Sequence, residues 1–559
     1  MKKLILSTSL LAWPALMAAQ GLNPADILKP LGDDWPTYSG DYSGKRYSKL
    51  AQINQSNVKN LTLAWTSRMT AGAGGAGGGR GGFGGGVPTI IGGEGPDEAL
   101  GGGGGTNIRA SILEVNGTLY LATPDNAWAV DAHDGHVLWH YFWKTKGGTH
   151  IGNRGLAMYR DWLFFETPDD YLISLDAKTG RERWHKVISD FNQQYFSTMA
   201  PIVIGDHLLV GTGNDMDAPG FLKAVDPETG NDQWTFWTTP HEKNDPGADS
   251  WPNLDAARHG GGNVWIPGSY DPELHLYYFG TGNPNPIFSA GSRSGTNLFT
   301  CSIIALNVDT GKMAWYFQPT PHETHDWDAA QTPVLVDAEF KGKQRKLLLT
   351  ANRSGYFFVL DRVTGEPLLN APFSRSTNWA TGVNDKGQLI RNPMKDAQIG
   401  GALVSPSNPG ITNYPPPTFD PETGLFYVQR NESFSVYYIT DPDPKEAEGF
   451  GGAMEQMLGS MGRYLTAIDY KTGKVAWEHP YPESNSPGGG VAGLLSTAGK
   501  LLFAPDAAGN LVAYDPANGK ILWHTHLGQV SNAPETYMLD GRQYILSAAG
   551  DAVYAFALN

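Results

Sequence analysis

One cysteine, Cys301, stands in a chain of 559 residues. A lone thiol closes no intramolecular disulfide, builds no Cys-rich zinc site and supplies no Cys-x-x-Cys-His haem attachment. Any electrons this chain takes up must therefore pass to another molecule. The context Thr300-Cys301-Ser302-Ile303-Ile304 reads as a buried strand, and Cys301 as an inert core thiol. Charged residues are sparse at 17%, and the formal net charge is -15. That balance disfavours nucleic acid and anionic membranes as partners and suits a small basic electron carrier. Past the first twenty residues there is no stretch of 18 apolar residues, so no membrane span is expected. Segments of helical period are scarce.

What is present begins with a leader. Lys2 and Lys3 precede an apolar run from Leu4 to Leu16, and Ala18 and Ala19 offer small residues for cleavage. Residues 1–19 are expected to be a secretory signal peptide, which makes the mature protein exported and periplasmic. Aromatic residues reach 11%, with 17 tryptophans, as in strand-rich folds.

A repeat then organises the chain. An apolar strand ends in Asp or Asn, followed by a Thr-Gly or related turn and, four residues after the glycine, a tryptophan. Copies run from Ala129-Val130-Asp131 through Gly135 to Trp139, and from Leu175-Asp176 through Gly180 to Trp184. Further copies lead from Asp226 through Gly230 to Trp234, and from Asn307 through Gly311 to Trp315. Two more lead from Asp469 through Gly473 to Trp477 and from Asp515 through Gly519 to Trp523. A degenerate copy at Leu360-Asp361 and Thr364-Gly365 lacks the tryptophan. In each, Asp can cap a tight turn, Gly supplies the turn's backbone freedom, and Trp can wedge between neighbouring sheets. Clean spacings of 45, 50 and 46 residues between tryptophans fit a four-stranded blade. Seven copies are visible. Pairing the segment Leu61–Trp65 with the last strand, Ala552–Leu558, closes another blade. An all-β, eight-bladed propeller over residues 20–559 is expected, with seven blades as the alternative. Wider gaps between Trp234 and Trp315, and between Gly365 and Asp469, hold insertions of the kind that carry function. Residues 71–105 are glycine-dominated and read as a flexible insertion within the propeller.

The repeat and the phrases between its copies resemble the pyrroloquinoline quinone (PQQ)-dependent alcohol dehydrogenases over about residues 33–559. The opening Asp34-Trp35-Pro36 and Asn57-Val58-Lys59-Asn60-Leu61 are typical of that family. The resemblance implies a metal site. Asp215, in Thr212-Gly213-Asn214-Asp215, lies where the family has a glutamate ligand, with Thr212, Gly213 and Asn214 placed against the cofactor. Asn283, in Gly280-Thr281-Gly282-Asn283-Pro284, matches a carbonyl ligand. In Thr320-Pro321-His322-Glu323-Thr324-His325-Asp326-Trp327-Asp328, ungapped alignment puts Asp326 on the catalytic base, which also touches the metal. Asp328 then falls where lanthanide-using members carry an extra aspartate. Hard cations prefer such oxygen ligands. Three carboxylates and one amide favour a trivalent lanthanide over Ca2+.

The resemblance also implies the cofactor contacts. Arg154 pairs with a carboxylate of PQQ, Thr198 donates a hydroxyl, and Trp265 carries the flat ring system, its approach Gly261-Gly262-Asn263-Val264 clearing space above the ring. Arg353 lies near the reactive carbonyl, and Asn413 adds a polar contact. Three departures stand out. The vicinal cysteines usual over the cofactor are absent, their place falling at about Gly148-Thr149, and His150 is a substitute cover. Arg109 replaces a glutamate and becomes a possible cofactor contact. Asp215 is one methylene shorter than the usual ligand. His322 and His325 read as structural or substrate-pocket residues rather than a metal pair. The implied reaction is oxidation of a small alcohol, with electrons passed to an external acceptor such as a periplasmic cytochrome c. Two rivals remain: a non-catalytic propeller scaffold of the outer-membrane assembly type, and a quinoprotein acting on a sugar or polymeric alcohol. The oligomeric state is open, a homodimer being one possibility.

Overall fold

The computed structural model describes residues 21–69, 107–145, 152–213, 217–329, 331–441, 450–482 and 492–559. The leader and the glycine-rich insertion 71–105 lie outside those residues. Among the described residues, the apolar alternation of the repeats becomes eight antiparallel sheets of at least four strands each. Seven follow in chain order at 113–142, 157–187, 202–237, 269–317, 334–372, 402–480 and 495–526. The eighth joins the chain ends. Leu61–Arg68 pairs antiparallel with Ala552–Leu558, from Leu61 against Leu558 to Arg68 against Ala552. Eight blades, closed as the sequence pattern expects, make the ring. Among the described residues only two short α-helices, Pro24–Ile27 and Leu254–Arg258, occur.

The repeat explains how the blades meet. At Gly180 the backbone is left-handed, φ 68°, and an added Cβ would lie 2.6 Å from the Trp139 ring of the preceding blade. The same indole donates its Nε1–H to the Ala177 carbonyl at 2.9 Å. The arrangement recurs around the ring, with Trp65 on Gly135, Trp184 on Gly230, Trp234 on Gly311, Trp315 on Gly365 and Trp477 on Gly519. Each of these indoles also donates to a backbone carbonyl of the next blade. Trp523 closes the ring on the Leu61 carbonyl at 3.2 Å. The degenerate copy leaves one seam without an indole. There Gly473 meets Leu369 and Ala371 instead. The turn Asp does what its position suggests: Asp226 Oδ1, for example, accepts from the amides of Glu228 and Thr229, both at 2.8 Å.

A segment before the first blade ties the ring across its axis. Trp35 bridges Glu114 of the first blade. The Tyr42 hydroxyl donates to the Val203 carbonyl of the third, and its ring packs edge-on against Tyr270 of the fourth. Tyr47–Ser48 pairs with Ser496–Thr497 of the seventh. Arg46 is fully buried and donates to the carbonyls of Tyr38, Leu494 and Pro534 at 2.8–2.9 Å. So short a segment reaches so many blades only by crossing the centre.

Cys301 is buried and free, but it sits in a turn at φ 45°, ahead of the strand Ile303–Asn307. The expected strand begins two residues later because Thr300 donates back to the Asn297 carbonyl and closes that turn.

Substitution of the seam glycines tests the indole packing. Gly311→Ala combines a left-handed backbone with a Cβ 2.6 Å from Trp234. A loss of about 3 kcal/mol is expected in denaturant unfolding. Gly541→Ala, at φ 74° with nothing within 4 Å, carries the backbone cost alone, about 1 kcal/mol. Equal losses would show that the indole contact contributes nothing to the seam.

Candidate functional site

The site is made by loops between strands of neighbouring blades. Asp326 and Asp328 lie between Lys312–Phe317 and Val334–Phe340, Arg353 directly follows Lys343–Ala351, and Asn283 follows Leu276–Gly280. Residues two apart in this loop present both carboxylates to one partner. Arg353 Nη2 lies 3.2 Å from Asp326 Oδ2, and Nη1 lies 2.9 Å from Asp328 Oδ2. Burial alone would lower the Arg353 pKa, but Asp326 and then Asp328 reverse this and hold it above its usual range. Asp328 is further fixed by Trp265 Nε1–H at 2.9 Å and by the Asn283 amide at 2.7 Å. Three residues spread from 265 to 353, each singled out by the sequence, thus meet at one carboxylate, that of Asp328.

Asp326 has φ 69°, a conformation Asp adopts more readily than most residues but that still requires outside support. Glu323 supplies it. Its Oε1 accepts from the His325 amide at 2.6 Å and its Oε2 from the Asp326 amide at 2.9 Å. Burial would raise the Glu323 pKa, but its contacts with His325 outweigh this and lower it. Asn408 Nδ2 donates to Asp326 Oδ2 at 2.8 Å. His322 and His325 do not face a common point. His322 Nδ1 meets the Gly295 carbonyl at 2.7 Å, whereas His325 stacks on Trp327, 4.2 Å between ring centroids, with Nε2 2.8 Å from the Lys395 carbonyl.

Beside the acids is a cationic, aromatic slot. The Arg154 guanidinium lies 4.5 Å from the Trp265 ring centroid and 4.8 Å from that of Tyr414. Arg154 Nη1 donates to the Thr198 carbonyl at 3.1 Å, and its buried Nε has no partner among the described residues. Burial pushes its pKa down to about 10, and Arg109 adds repulsion. Arg109, Arg154, Tyr38, Arg46 and Tyr414 line one cavity. The Thr198 hydroxyl meets the Trp265 carbonyl at 3.4 Å. Asn413 makes local bonds, Nδ2 to the Pro409 carbonyl and Oδ1 from the Tyr414 amide, both 2.8 Å.

Thr212 donates to the Phe196 carbonyl at 2.9 Å and to Asp170 at 3.2 Å. Gly213 pairs with Phe196 and packs against Asn263, whose Cγ would lie 2.4 Å from an added Cβ. The glycines before Trp265 have a different use from the one expected. A Cβ on Gly261 would lie 2.6 Å from the Asn283 carbonyl, and one on Gly262 2.6 Å from Thr238 Oγ1. They admit close backbone packing and do not clear room above the indole. Asn214, Asp215, Gly148, Thr149 and His150 lie outside the described residues.

Both parts suit the ligands expected of them. Two carboxylates facing one guanidinium leave a net negative site that a hard cation would balance. A buried guanidinium with an orphaned Nε and a cationic neighbour calls for a polyanion. Glu323, Asn408 and Tyr414 escaped the sequence reading. Glu323 had a local signal, an acid two and three residues before the amides it caps. Asn408 had none, because 82 residues separate it from Asp326.

Such a fold and site define a propeller with a cationic, aromatic slot beside a cluster of carboxylates. Comparison with known proteins names the class more closely. The model "Glucose/ethanol/alcohol dehydrogenase, beta-propeller domain" matches residues 35–373, and that for "Outer membrane protein assembly factor BamB" matches residues 454–559. Quinohemoprotein alcohol dehydrogenase ADH IIB of Pseudomonas putida is 33% identical over 97% of this chain and 77% of its own. The crystal structure of the quinohemoprotein alcohol dehydrogenase from Comamonas testosteroni superposes with a TM-score of 0.83 at 29% identity, over 96% of this chain and 82% of that one. A europium-containing methanol dehydrogenase gives a TM-score of 0.79 at 28% identity, over 96% and 99%. The chain belongs to the PQQ-dependent quinoprotein alcohol dehydrogenases, a family of oxidoreductases.

Behind the slot, Asp170 is fully buried and accepts from Ser197 and Thr212. Burial raises its pKa from 3.8 to about 7. The folded state therefore holds this proton longer than the unfolded chain does. Its contribution is complete below pH 3.8 and is lost as pH rises to about 7. Asp170→Asn keeps an acceptor and does not titrate. Its stability relative to wild type is expected to grow across that window by on the order of 2–4 kcal/mol. Parallel pH profiles of the two unfolding midpoints would show that Asp170 is ionised in the fold.

Proposed function

We propose that this protein oxidises a small alcohol to an aldehyde or ketone in the periplasm and hands the electrons to an external acceptor such as a cytochrome c. The observation that carries the reading is the double pairing of Arg353 with Asp326 and Asp328, with Trp265 and Asn283 bound to the same Asp328. In this reading PQQ lies in the Arg154–Trp265–Tyr414 slot, with Arg109, Thr198, Thr212, Gly213, Asn214 and Asn413 around it. Asp215, Asn283, Asp326 and Asp328 hold the metal ion. When bound, the quinone supplies the acceptor for a hydride equivalent and the metal a Lewis acid.

The residues of the chain do the rest. Asp326, whose side chain is 21% exposed, takes the hydroxyl proton of the alcohol as general base. Arg353 holds that carboxylate in place and stabilises negative charge developing beside it. Arg154 and Arg109 offer cations to carboxylates. Since Arg154 now lies over Trp265, its side chain must turn aside for a ring to stack there, which its partnerless Nε does not oppose. Asp328 adds a second negative charge two residues from the base, and this favours a lanthanide over Ca2+. The curated kin include a 1-butanol dehydrogenase (cytochrome c) of Thauera butanivorans, 30% identical over 93% of this chain. That name supports a cytochrome as acceptor.

Reconstitution tests the reading. Apo-protein is mixed with PQQ and either Ca2+ or a light lanthanide, and quinone absorbance and dye reduction are followed across a panel of alcohols. Lanthanide-dependent uptake and turnover are expected, with a loss of at least about 10³-fold in Asp326→Asn. Asp328→Ala is expected to weaken lanthanide binding more than calcium binding. Activity with Ca2+ alone would remove the lanthanide from the proposal, and failure to take up PQQ under either metal would favour the scaffold reading.

A further inference from the structure

We propose that Asn408, itself held by Glu455, is a positioning residue for the Asp326–Arg353 pair. The inference rests on the reaction proposed above. Its basis is that one residue serves both members of the pair. The Asn408 side chain donates Nδ2–H to Asp326 Oδ2 at 2.8 Å, and its backbone carbonyl accepts from Arg353 Nη2 at 2.7 Å. The direct contact of Arg353 with the same Asp326 oxygen is longer, 3.2 Å. Asn408 therefore makes the shorter of these two bonds to the base and simultaneously sets the distance at which the guanidinium stands from it.

Asn408 could not do this on a free loop, and it is not on one. Its own amide donates to Glu455 Oε1 at 2.7 Å. Glu455 also accepts from the Ser435 hydroxyl. Both belong to the two long strands Leu425–Ile439 and Ala453–Asp469, where Glu455 stands opposite Tyr437. Tyr437 is fully buried and packs edge-on against His325, 4.9 Å between centroids, the residue before the base. The same hairpin thus holds the base from two sides, through its chain neighbour His325 and through Asn408. On either side of Glu455 the strand carries exposed residues, Met454 before it and Met457 and Leu458 after it. Glu455 is therefore the point where this exposed stretch of the strand enters the site.

The test uses the full chain. For Asn408→Ala, kcat is expected to fall about 10- to 100-fold while KM for the alcohol stays within about twofold, as when a reacting group is misplaced by less than an ångström. The primary isotope effect with α-deuterated ethanol is expected to rise, and absorbance titration should give unchanged uptake of PQQ and metal. Glu455→Gln keeps an acceptor oxygen and is expected to retain turnover within about threefold; Glu455→Ala is expected to follow Asn408→Ala. In the apo-protein, amide exchange at 405–410 and 323–329 is expected to speed up in Glu455→Ala and stay at wild-type rate in Glu455→Gln. Turnover of Asn408→Ala within twofold of wild type would overturn the proposal. So would loss of cofactor uptake in that variant, or equal damage from both Glu455 substitutions. If the wild type neither takes up PQQ nor oxidises alcohols, the functional reading fails, and the exchange experiment alone still decides whether Glu455 holds the Asn408 segment.

Discussion

Everything in this molecule rests on an indole lying flat against a glycine. The contact fixes the distance between blades, because neither a ring nor a bare Cα can give way, and the indole N–H fixes the direction by choosing one carbonyl. Repeated around the ring, it sets the angle at which each blade meets the next. The loops at the inner strand ends then have no choice but to converge near the axis. The segment around Arg46 enforces this from the middle, its guanidinium spending its donors on carbonyls from well-separated parts of the chain. A buried cation with so little carboxylate compensation is costly unless the geometry is satisfied. It therefore favours the closed ring over any partial one.

On this frame the site is an electrostatic balance. Asp326 and Asp328 present two negative charges to one guanidinium, and Glu323 holds the backbone that brings them there. Beside it the balance has the other sign: Arg154, Arg109 and Arg46 line one cavity, and no carboxylate lines it among the described residues. Adjacent regions of opposite surplus are what an anionic ring bound edge-to-edge with a cation would neutralise. The two halves are coupled through Trp265, whose face carries Arg154 and whose N–H holds Asp328.

Much of this was legible in the sequence. The blade count followed from the Asp, Gly and Trp spacing, and the closing strand from leftover strands at each end, because both reflect local periodicity. The residues of the site, Arg154, Trp265, Asn283, Asp326, Asp328 and Arg353, were legible through phrases matching a family, and the fold brings the five from Trp265 to Arg353 onto one cluster around Asp328, with Arg154 on the face of Trp265. What escaped was long-range or conformational. Asn408 reaches Asp326 only because two blades are neighbours. Tyr414 completes a sandwich that no spacing announces. The glycines before Trp265 were legible as glycines, but what they make room for, the Asn283 backbone, depended on the three-dimensional path of another loop.

The missing indole at Leu369 has a consequence of its own. The seam it leaves lies between the blade that carries Arg353 and the blade that carries Asn408, so the hydrogen bond between those two residues crosses the one seam of the described repeat that has no indole. That seam lies beside the Asp326–Arg353 ion pair. The two bonds that Asn408 makes, to Arg353 and to Asp326, thus fasten across that seam what an indole fastens at the others.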